Sequence, residues 1–224
     1  MAFRDIDISR AVSSAMSHPP DEWWRDARAL CCAFKLCTPM TLIWINCDMN
    51  ISLPKLTLVL GGAAAGKSTY AEALVKKASD SKIYIATARV LDAEIKAKVQ
   101  KHKIARGSGW TTIEEPLDLP AALATVSTRD AVLIDCATMW LSNQMMAEEN
   151  LADAQHLFLK ALVGCPAPVV IVSNEVGQGI VPANAMARQF REAQGHLNAS
   201  IAEIADTVLF VIAGLPQVLK GSLP

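Results

Sequence analysis

An excess of charge of either sign is missing from this 224-residue sequence: 21 Lys and Arg stand against 22 Asp and Glu, a formal net charge of −1. No broad basic surface for nucleic acid is therefore expected. An unbroken apolar run of the roughly 18 residues needed to cross a membrane is missing as well. The nearest approach, ALCCAFKLCTPMTLIWINC over residues 29–47, is broken by Lys35 and Pro39. The chain has 6 cysteines but no C-x₂-C pair. Cys31, Cys32, Cys37 and Cys47 share the early segment without the paired spacing of a four-ligand zinc site. Cys136 and Cys165 lie inside apolar strings, so reduced thiols and a cytoplasmic location are the expectation. A secretory leader is not expected, because acidic residues and His18-Pro19-Pro20 come first and no small-residue cleavage site follows a clean apolar core. Internal repeats and low-complexity tracts are absent too.

What is present reads as a compact globular enzyme, with 52% hydrophobic and 19% charged residues. The length suits one domain with at most an appendage. Residues 1–52 differ from the rest: DEWWRDAR (21–28) precedes the cysteine cluster, and strand patterning begins only after Met49. They are expected to be an extension to which no function is assigned, leaving 53–224 as the working domain. From residue 53 onward, apolar runs alternate with helical patterns. KLTLVL (55–60), KIYIAT (82–87), AVLID (131–135), PVVIVSN (168–174) and TVLFVIA (207–213) read as buried parallel strands. Helical periodicity falls at 68–78, 93–103, 151–162 and 183–204. Strands alternating with helices on right-handed crossovers give an α/β fold, a P-loop NTPase-like three-layer sandwich with a mostly parallel central sheet. Ligands in such sheets bind beyond the carboxyl ends of the strands.

The first strand runs into GGAAAGKS. Gly61, Gly66, Lys67 and Ser68 satisfy G-x-x-x-x-G-K-[ST] between a strand and a helix, the context that gives this motif its meaning. Backbone N–H groups in such a loop curl around a phosphate chain, and the helix that follows points its positive end at the same anion. Lys67 reaches the β- and γ-phosphates, and the Ser68 hydroxyl suits Mg²⁺. The plainer alternative is a Gly-rich turn. AVLID ends in Asp135, placed to hold Mg²⁺ opposite Ser68, or else to serve as a solvated strand terminus. IATA (85–88) ends the second strand in small residues, with Thr87 offering a hydroxyl at the mouth of the site. His102 lies among Lys101, Lys103 and Arg106. Flanking cations favour its neutral form, which suits a nucleophile towards phosphorus, although an exposed histidine on a basic helix face would look the same.

Together these features resemble the bifunctional adenosylcobinamide kinase/adenosylcobinamide-phosphate guanylyltransferase family of cobalamin synthesis. The resemblance rests on GGAAAGKS, on YIATA after strand two, on His102, Arg106, Trp110, Thr112 and Glu114, on LIDCATMWLSN, and on the long segment SNEVGQGIVPANAMARQFREAQGHLNASIAEIAD. It implies that His102 is the residue that becomes guanylylated and that Lys67 is catalytic. It implies nucleotide contacts from Leu60, Gly61, Gly62, Ala63, Ala64, Ala65, Gly66, Lys67 and Ser68. Further contacts are implied for Ala86, Thr87, Ala88, Lys103, Ile104, Ala105, Arg106, Glu114 and Asp135, with Ser68 and Asp135 on Mg²⁺. ATP or GTP and a corrinoid are the implied substrates, and a small homo-oligomer, a trimer, the implied assembly. The loop departs from relatives in carrying Ala63-Ala64-Ala65 where Arg and Ser are common, which keeps the backbone cradle and removes one cationic contact.

Two stages follow from the resemblance: phosphorylation of the aminopropanol hydroxyl of adenosylcobinamide, then transfer of GMP from GTP through a GMP–histidine to give adenosylcobinamide-GDP and pyrophosphate. Arg188, Arg191, Gly195 and Asn198, spaced three, four and three apart, form a candidate corrinoid- or phosphate-facing helix face or else a solvated one. Two rivals stay open on the sequence: a simple P-loop kinase in which His102 is inert, and a nucleotide-gated interaction module whose partner surface is the Cys/Trp-rich extension.

Overall fold

The computed structural model describes residues 52–89, 106–148 and 150–224. In chain order its elements are β1 (Leu56–Gly61), α1 (Lys67–Ala78), β2 (Ser81–Ala86), β3 (Trp110–Glu114), α2 (Leu119–Ala124) and β4 (Asp130–Asp135). They continue as α3 (Ala137–Met146), α4 (Leu151–Gly164), β5 (Val169–Val172), α5 (Ala185–Ile204), β6 (Thr207–Ile212) and β7 (Leu215–Lys220). The seven strands form one sheet in the order β3-β2-β4-β5-β1-β6-β7. Every pair is parallel except β6–β7.

Strand periodicity explains the three layers. Side chains of a strand alternate between faces. Leu56, Leu58 and Leu60 of β1, Val132 and Ile134 of β4, and Val169 and Ile171 of β5 point to one face. There they meet Leu119 and Leu123 of α2, Trp140 and Leu141 of α3, Phe158 and Leu162 of α4, and Leu197 and Ile201 of α5. The residues between them, Val59, Leu133, Val170 and Val172, point to the other face and meet Ala71, Leu74 and Val75 of α1. With both faces buried, each strand reads as a nearly unbroken apolar run, which is why the five parallel inner strands are legible from sequence.

Helix caps mark the starts of α2, α4 and α5, where Asp118, Asn150 and Asn184 accept from backbone amides of the first turn. α1 differs: its N-cap is Gly66, which has no side chain to accept from the first-turn amides. Its first amides are thus left facing the loop, the arrangement that binds anions.

The strands expected at 55–60, 82–87, 131–135, 168–174 and 207–213 are found within two residues at each end. The helix expected at 93–103 lies outside the described residues. β3, β7, α2 and α3 were not expected. β3 and β7 are edge strands, so they lack the two-sided burial that marks the others, and β7 carries Pro216, tolerated where a strand has one free edge. β6 and β7 are joined by Ala213-Gly214, both at positive φ (52° and 80°), the two-residue hairpin geometry that matches strand twist.

Trp140 is the largest fully buried side chain among the described residues, with its ring 4.7 Å from that of Phe158 and its indole N–H donating to Leu117 O at 2.8 Å. Trp140→Ala is expected to cost about 3–5 kcal/mol in urea unfolding followed by far-UV circular dichroism. Trp140→Phe should cost far less, because the ring contact survives and Leu117 O keeps its bond from Gln144.

Candidate active site

The strand order sets the place of the site. α1 carries the chain from β1 over β5 and β4 on one face, and α5 carries it from β5 across β1 to β6 on the other. The two connections run in opposite directions along the sheet and on opposite faces, so a crevice opens beyond the carboxyl end of β1, where the P-loop lies.

The loop is shaped by close backbone approaches. A Cβ on Gly61 would lie 2.5 Å from Val211 O of β6, and one on Gly66 would lie 3.1 Å from the Cα of Gly214. Only glycine fits at either point, and Gly66 also has φ 95°. Gly214 N donates to Ala65 O at 2.8 Å, so the β6–β7 turn clasps the back of the loop. Ala64 adopts φ 55°, and Ala65 N donates to Gly62 O at 3.3 Å. The side chain of Leu60 belongs to the sheet core; it can reach a nucleotide only through its backbone. Ala63 and Ala64 are exposed at the rim, and Ser68 is half-buried at the start of α1.

Lys67 is only 7% exposed. Its ammonium donates to Gly62 O at 2.6 Å, folding back into its own loop. Burial lowers its pKa, and Cys136 and Asp135 oppose that shift. Of these two the Asp135 carboxylate is the one that counts near neutral pH, because burial pushes the Cys136 thiol up to about 11 and leaves it uncharged. A buried cation whose bond is to one neutral carbonyl is poised to exchange that partner for a phosphate oxygen.

Asp135 ends β4 in register with Ala86 of β2 and Val172 of β5. Its Oδ2 accepts from the Tyr84 hydroxyl at 3.0 Å, and burial followed by the Asp135 charge raises the Tyr84 pKa, keeping it a donor. The Arg106 guanidinium lies 3.6 Å above the Tyr84 ring and donates to Thr112 Oγ1 at 3.1 Å. Arg106 is thereby turned inward, 5% exposed, rather than standing free at the rim. Glu114 is exposed on the edge strand β3.

Thr87 corrects a sequence expectation. It is fully buried, and its hydroxyl donates to Cys136 O and accepts from Cys136 N, both at 2.8 Å. The hydroxyl ties the ends of β2 and β4 together and is not available at the mouth of the site. Ala86 and Ala88 beside it are half-buried. Asn143, which sequence reasoning did not single out, donates to Thr87 O at 2.8 Å and to Pro116 O at 3.0 Å, so α3 holds the segments that follow β2 and β3.

The segment after β5 closes the third side. Glu175 N donates to Gly61 O at 3.0 Å, and Glu175 Oε1 accepts from Gly177 N at 2.5 Å. Asn198 also departs from expectation: it is 6% exposed and faces inward, with Oδ1 accepting from Ser173 at 2.6 Å and Gln194 at 2.9 Å and Nδ2 donating to Asn174 O at 3.0 Å. Each step of three or four residues along a helix turns the face slightly, and by Asn198 it has turned into the core. Arg188, Arg191 and Gly195 remain on the outer side and line a groove with Gly177 and Val181.

Among the described residues no cluster of three His, Cys, Asp or Glu could hold a metal alone. A hydroxyl on Ser68 and a carboxylate on Asp135 are hard oxygen donors, a set suited to Mg²⁺, which usually completes its shell with water and substrate phosphates. His102, Lys103, Ile104 and Ala105 lie outside the described residues, as does the extension up to residue 51.

The sequence matches, over residues 57–219, the family described as cobinamide kinase / cobinamide phosphate guanyltransferase. It is 38% identical over 167 residues to the bifunctional adenosylcobalamin biosynthesis protein CobP of Pseudomonas aeruginosa, covering 73% of this chain and 96% of the relative. It is 38% identical over 181 residues to the bifunctional adenosylcobalamin biosynthesis protein CobU of Salmonella typhimurium, covering 74% and 99%. Among solved structures, the flagellar accessory protein FlaH from Methanocaldococcus jannaschii aligns with a TM-score of 0.44 at 15% identity, over 78% of this chain and 84% of that one.

Lys67→Ala should weaken ATP and GTP binding by about 10- to 100-fold, the loss expected for charge-assisted hydrogen bonds to phosphate, as measured by calorimetric titration. The melting temperature without nucleotide should not fall, because the substitution removes a buried charge whose only hydrogen bond among the described residues is to a neutral carbonyl. Unchanged nucleotide affinity would remove Lys67 from the site.

Proposed function

The chain belongs to the cobinamide kinase / cobinamide phosphate guanyltransferase family, and we propose that the single carboxyl-edge site described above serves both of its reactions in turn. The activities are phosphorylation of cobinamide and guanylyl transfer to cobinamide phosphate, in adenosylcobalamin biosynthesis. The observation that carries the one-site reading is the buried Lys67 ammonium, held for now by Gly62 O of its own loop.

In the kinase reaction the loop amides and Lys67 hold the β- and γ-phosphates of ATP or GTP. The aminopropanol hydroxyl of adenosylcobinamide attacks the γ-phosphorus, the bond to the β-phosphate oxygen breaks, and a nucleoside diphosphate and a proton are released. Mg²⁺, when bound, would neutralise charge on the phosphate oxygens. Ser68 and Asp135 are the residues proposed to hold it, with the Tyr84 hydroxyl orienting the Asp135 carboxylate. In the transfer reaction an imidazole nitrogen of His102 attacks the α-phosphorus of GTP and pyrophosphate leaves. A phosphate oxygen of adenosylcobinamide phosphate then attacks the same phosphorus, the P–N bond breaks, and adenosylcobinamide-GDP forms with the histidine regenerated. Dividing one difficult transfer into two displacements is what covalent catalysis contributes. Main-chain donors and the buried lysine act on whichever triphosphate is present, so one cradle suffices for both.

The remaining backbone and side-chain contacts proposed for the nucleotide come from residues 60–68, Ala86, Ala88, Lys103, Ile104, Ala105, Arg106 and Glu114. Thr87 contributes by fixing the β2–β4 edge. The working domain is proposed to be 53–224, acting in the cytoplasm, in keeping with the buried free thiols of Cys136 and Cys165. A homo-oligomer, a trimer, is proposed. The edge strand β7 supports it, because Leu215 and Leu219 are 71% and 56% exposed on an unpaired strand edge. Among the described residues no helix is long and apolar enough to cross a membrane.

His102→Ala should eliminate the acid-labile GMP adduct formed from GTP labelled at the α-phosphate, and with it guanylyl transfer, while kinase activity persists. Kinase chemistry needs no enzyme nucleophile. An adduct of undiminished yield, or one mapped to a lysine by mass spectrometry, would overturn the assignment. Deleting residues 1–48 should leave both activities and the melting temperature near those of the full chain. A truncated chain that fails to fold would make the extension part of the domain.

A further inference from the structure

We infer that the groove between α5 and residues 177–181 is the acceptor subsite of this enzyme, and that Arg188 and Arg191 bind the phosphate that the kinase step installs on the corrinoid. The inference rests on the bifunctional reading above and names where the second substrate sits.

Position is the first argument. The transfer step requires the acceptor's phosphate to reach a nucleotide held in the P-loop. The segment that forms one wall of the groove leaves β5 at the carboxyl edge of the sheet. Glu175 N is bonded to Gly61 O, the first glycine of the loop, and Gly177, two residues on, already lines the groove. The β5 segment thus touches the donor cradle with one residue and the groove with the next but one.

Chemistry is the second. Arg191 donates through one terminal nitrogen to Gly177 O, while its other terminal nitrogen, Nη1, is buried with no hydrogen-bond partner among the described residues. Arg188 donates through Nη1 to Pro182 O and Ala183 O at 3.0 and 2.6 Å. Both guanidiniums are anchored on one side by main-chain carbonyls and neither has a carboxylate partner among the described residues. The one lining carboxylate, Glu192, lies 3.9 Å from His196 instead. A buried donor left unpaired is costly, and two anchored guanidiniums without counter-charge match a phosphate, which arginine binds through paired N–H groups.

Size and polarity decide which part of the acceptor enters. The groove is an open depression of about 390 Å³, and two of its lining residues, Gly177 and Gly195, carry no side chain. That volume is near the low end for small-molecule clefts and accommodates a phosphorylated aminopropanol arm. Ile180, Val181 and Met186 beside it are 97%, 65% and 71% exposed, an apolar rim on which the ring's methylated edge can rest. Arg188 and Arg191 are therefore binding residues that distinguish the phosphorylated from the unphosphorylated corrinoid.

The test compares the two corrinoids on the full chain. Binding of adenosylcobinamide phosphate and of adenosylcobinamide is followed by equilibrium dialysis, using the corrinoid's own absorbance, for wild type, Arg188→Gln and Arg191→Lys. Wild type should bind the phosphorylated form more tightly, and each variant should lose about tenfold for that form, equivalent to about 1.4 kcal/mol, with little change for the other. Arg191→Lys keeps a donor for Gly177 O, and melting curves identify any variant that is merely unfolded; Arg188→Gln then stands as the independent variant. Equal losses for both corrinoids, or a retained preference in both variants, would overturn the assignment. So would a change confined to sedimentation behaviour, which would make this a subunit contact. Dialysis needs no turnover. A wild type that binds the phosphorylated corrinoid through these arginines yet forms no GMP adduct and phosphorylates no corrinoid would leave the subsite standing and the bifunctional reading refuted.

Discussion

A buried ammonium held by a backbone carbonyl of its own loop is the constraint on which the rest of this site depends. Lys67 can sit at 7% exposure only because the loop around it presents backbone oxygen and, beyond it, the Asp135 charge. That loop geometry in turn requires Gly61, where a Cβ would collide with Val211 O of β6, and Gly66, which packs closely on Gly214 at a φ of 95°. The hairpin turn at Ala213-Gly214 is therefore part of the phosphate cradle although it lies almost 150 residues downstream of Gly66. Replacing three loop positions by alanine costs the cradle little, because the binding groups are amides and the shape is held from behind.

The carboxyl edge is assembled from separate segments, each tied to the next by a buried polar bond. Thr87 joins β2 to β4 through Cys136, Asn143 joins α3 to the segments after β2 and β3, and Ser173 and Asn198 join β5 to α5. Polar groups buried in this way are unfavourable unless satisfied, so they hold a single arrangement of the segments better than apolar contacts would. By the same logic the Nη1 of Arg191, which has no partner among the described residues, is a donor available to a ligand.

Two chemistries on one edge place different demands on it. Phosphoryl transfer is served by positioning and charge neutralisation, the roles proposed for the loop, Lys67 and the Tyr84–Asp135 pair. Guanylyl transfer adds a nucleophile and an acceptor phosphate that must both reach one phosphorus atom. In the proposed arrangement the segment that meets Gly61 through Glu175 also lines the acceptor groove at Gly177, which shortens the path between the two half-reactions.

The P-loop, the five parallel inner strands and the aspartate at the end of β4 were legible in the sequence, because each is a local pattern: fixed glycine spacing, period-two burial, an apolar run ending in a charge. Edge strands β3 and β7 were not, since one-sided burial leaves a weaker pattern. What only the tertiary structure decided is where the side chains of those patterns point. Thr87 looks like a hydroxyl at a binding mouth until Cys136, 49 residues away, takes up both its bonds. Asn198 shares a helical spacing with Arg188 and Arg191 until the pitch of α5 turns it into the core. Tyr84 reads as one more apolar strand residue, yet its hydroxyl meets Asp135 across the sheet. Spacing along a chain specifies a face, and only the packing of distant segments determines what that face meets.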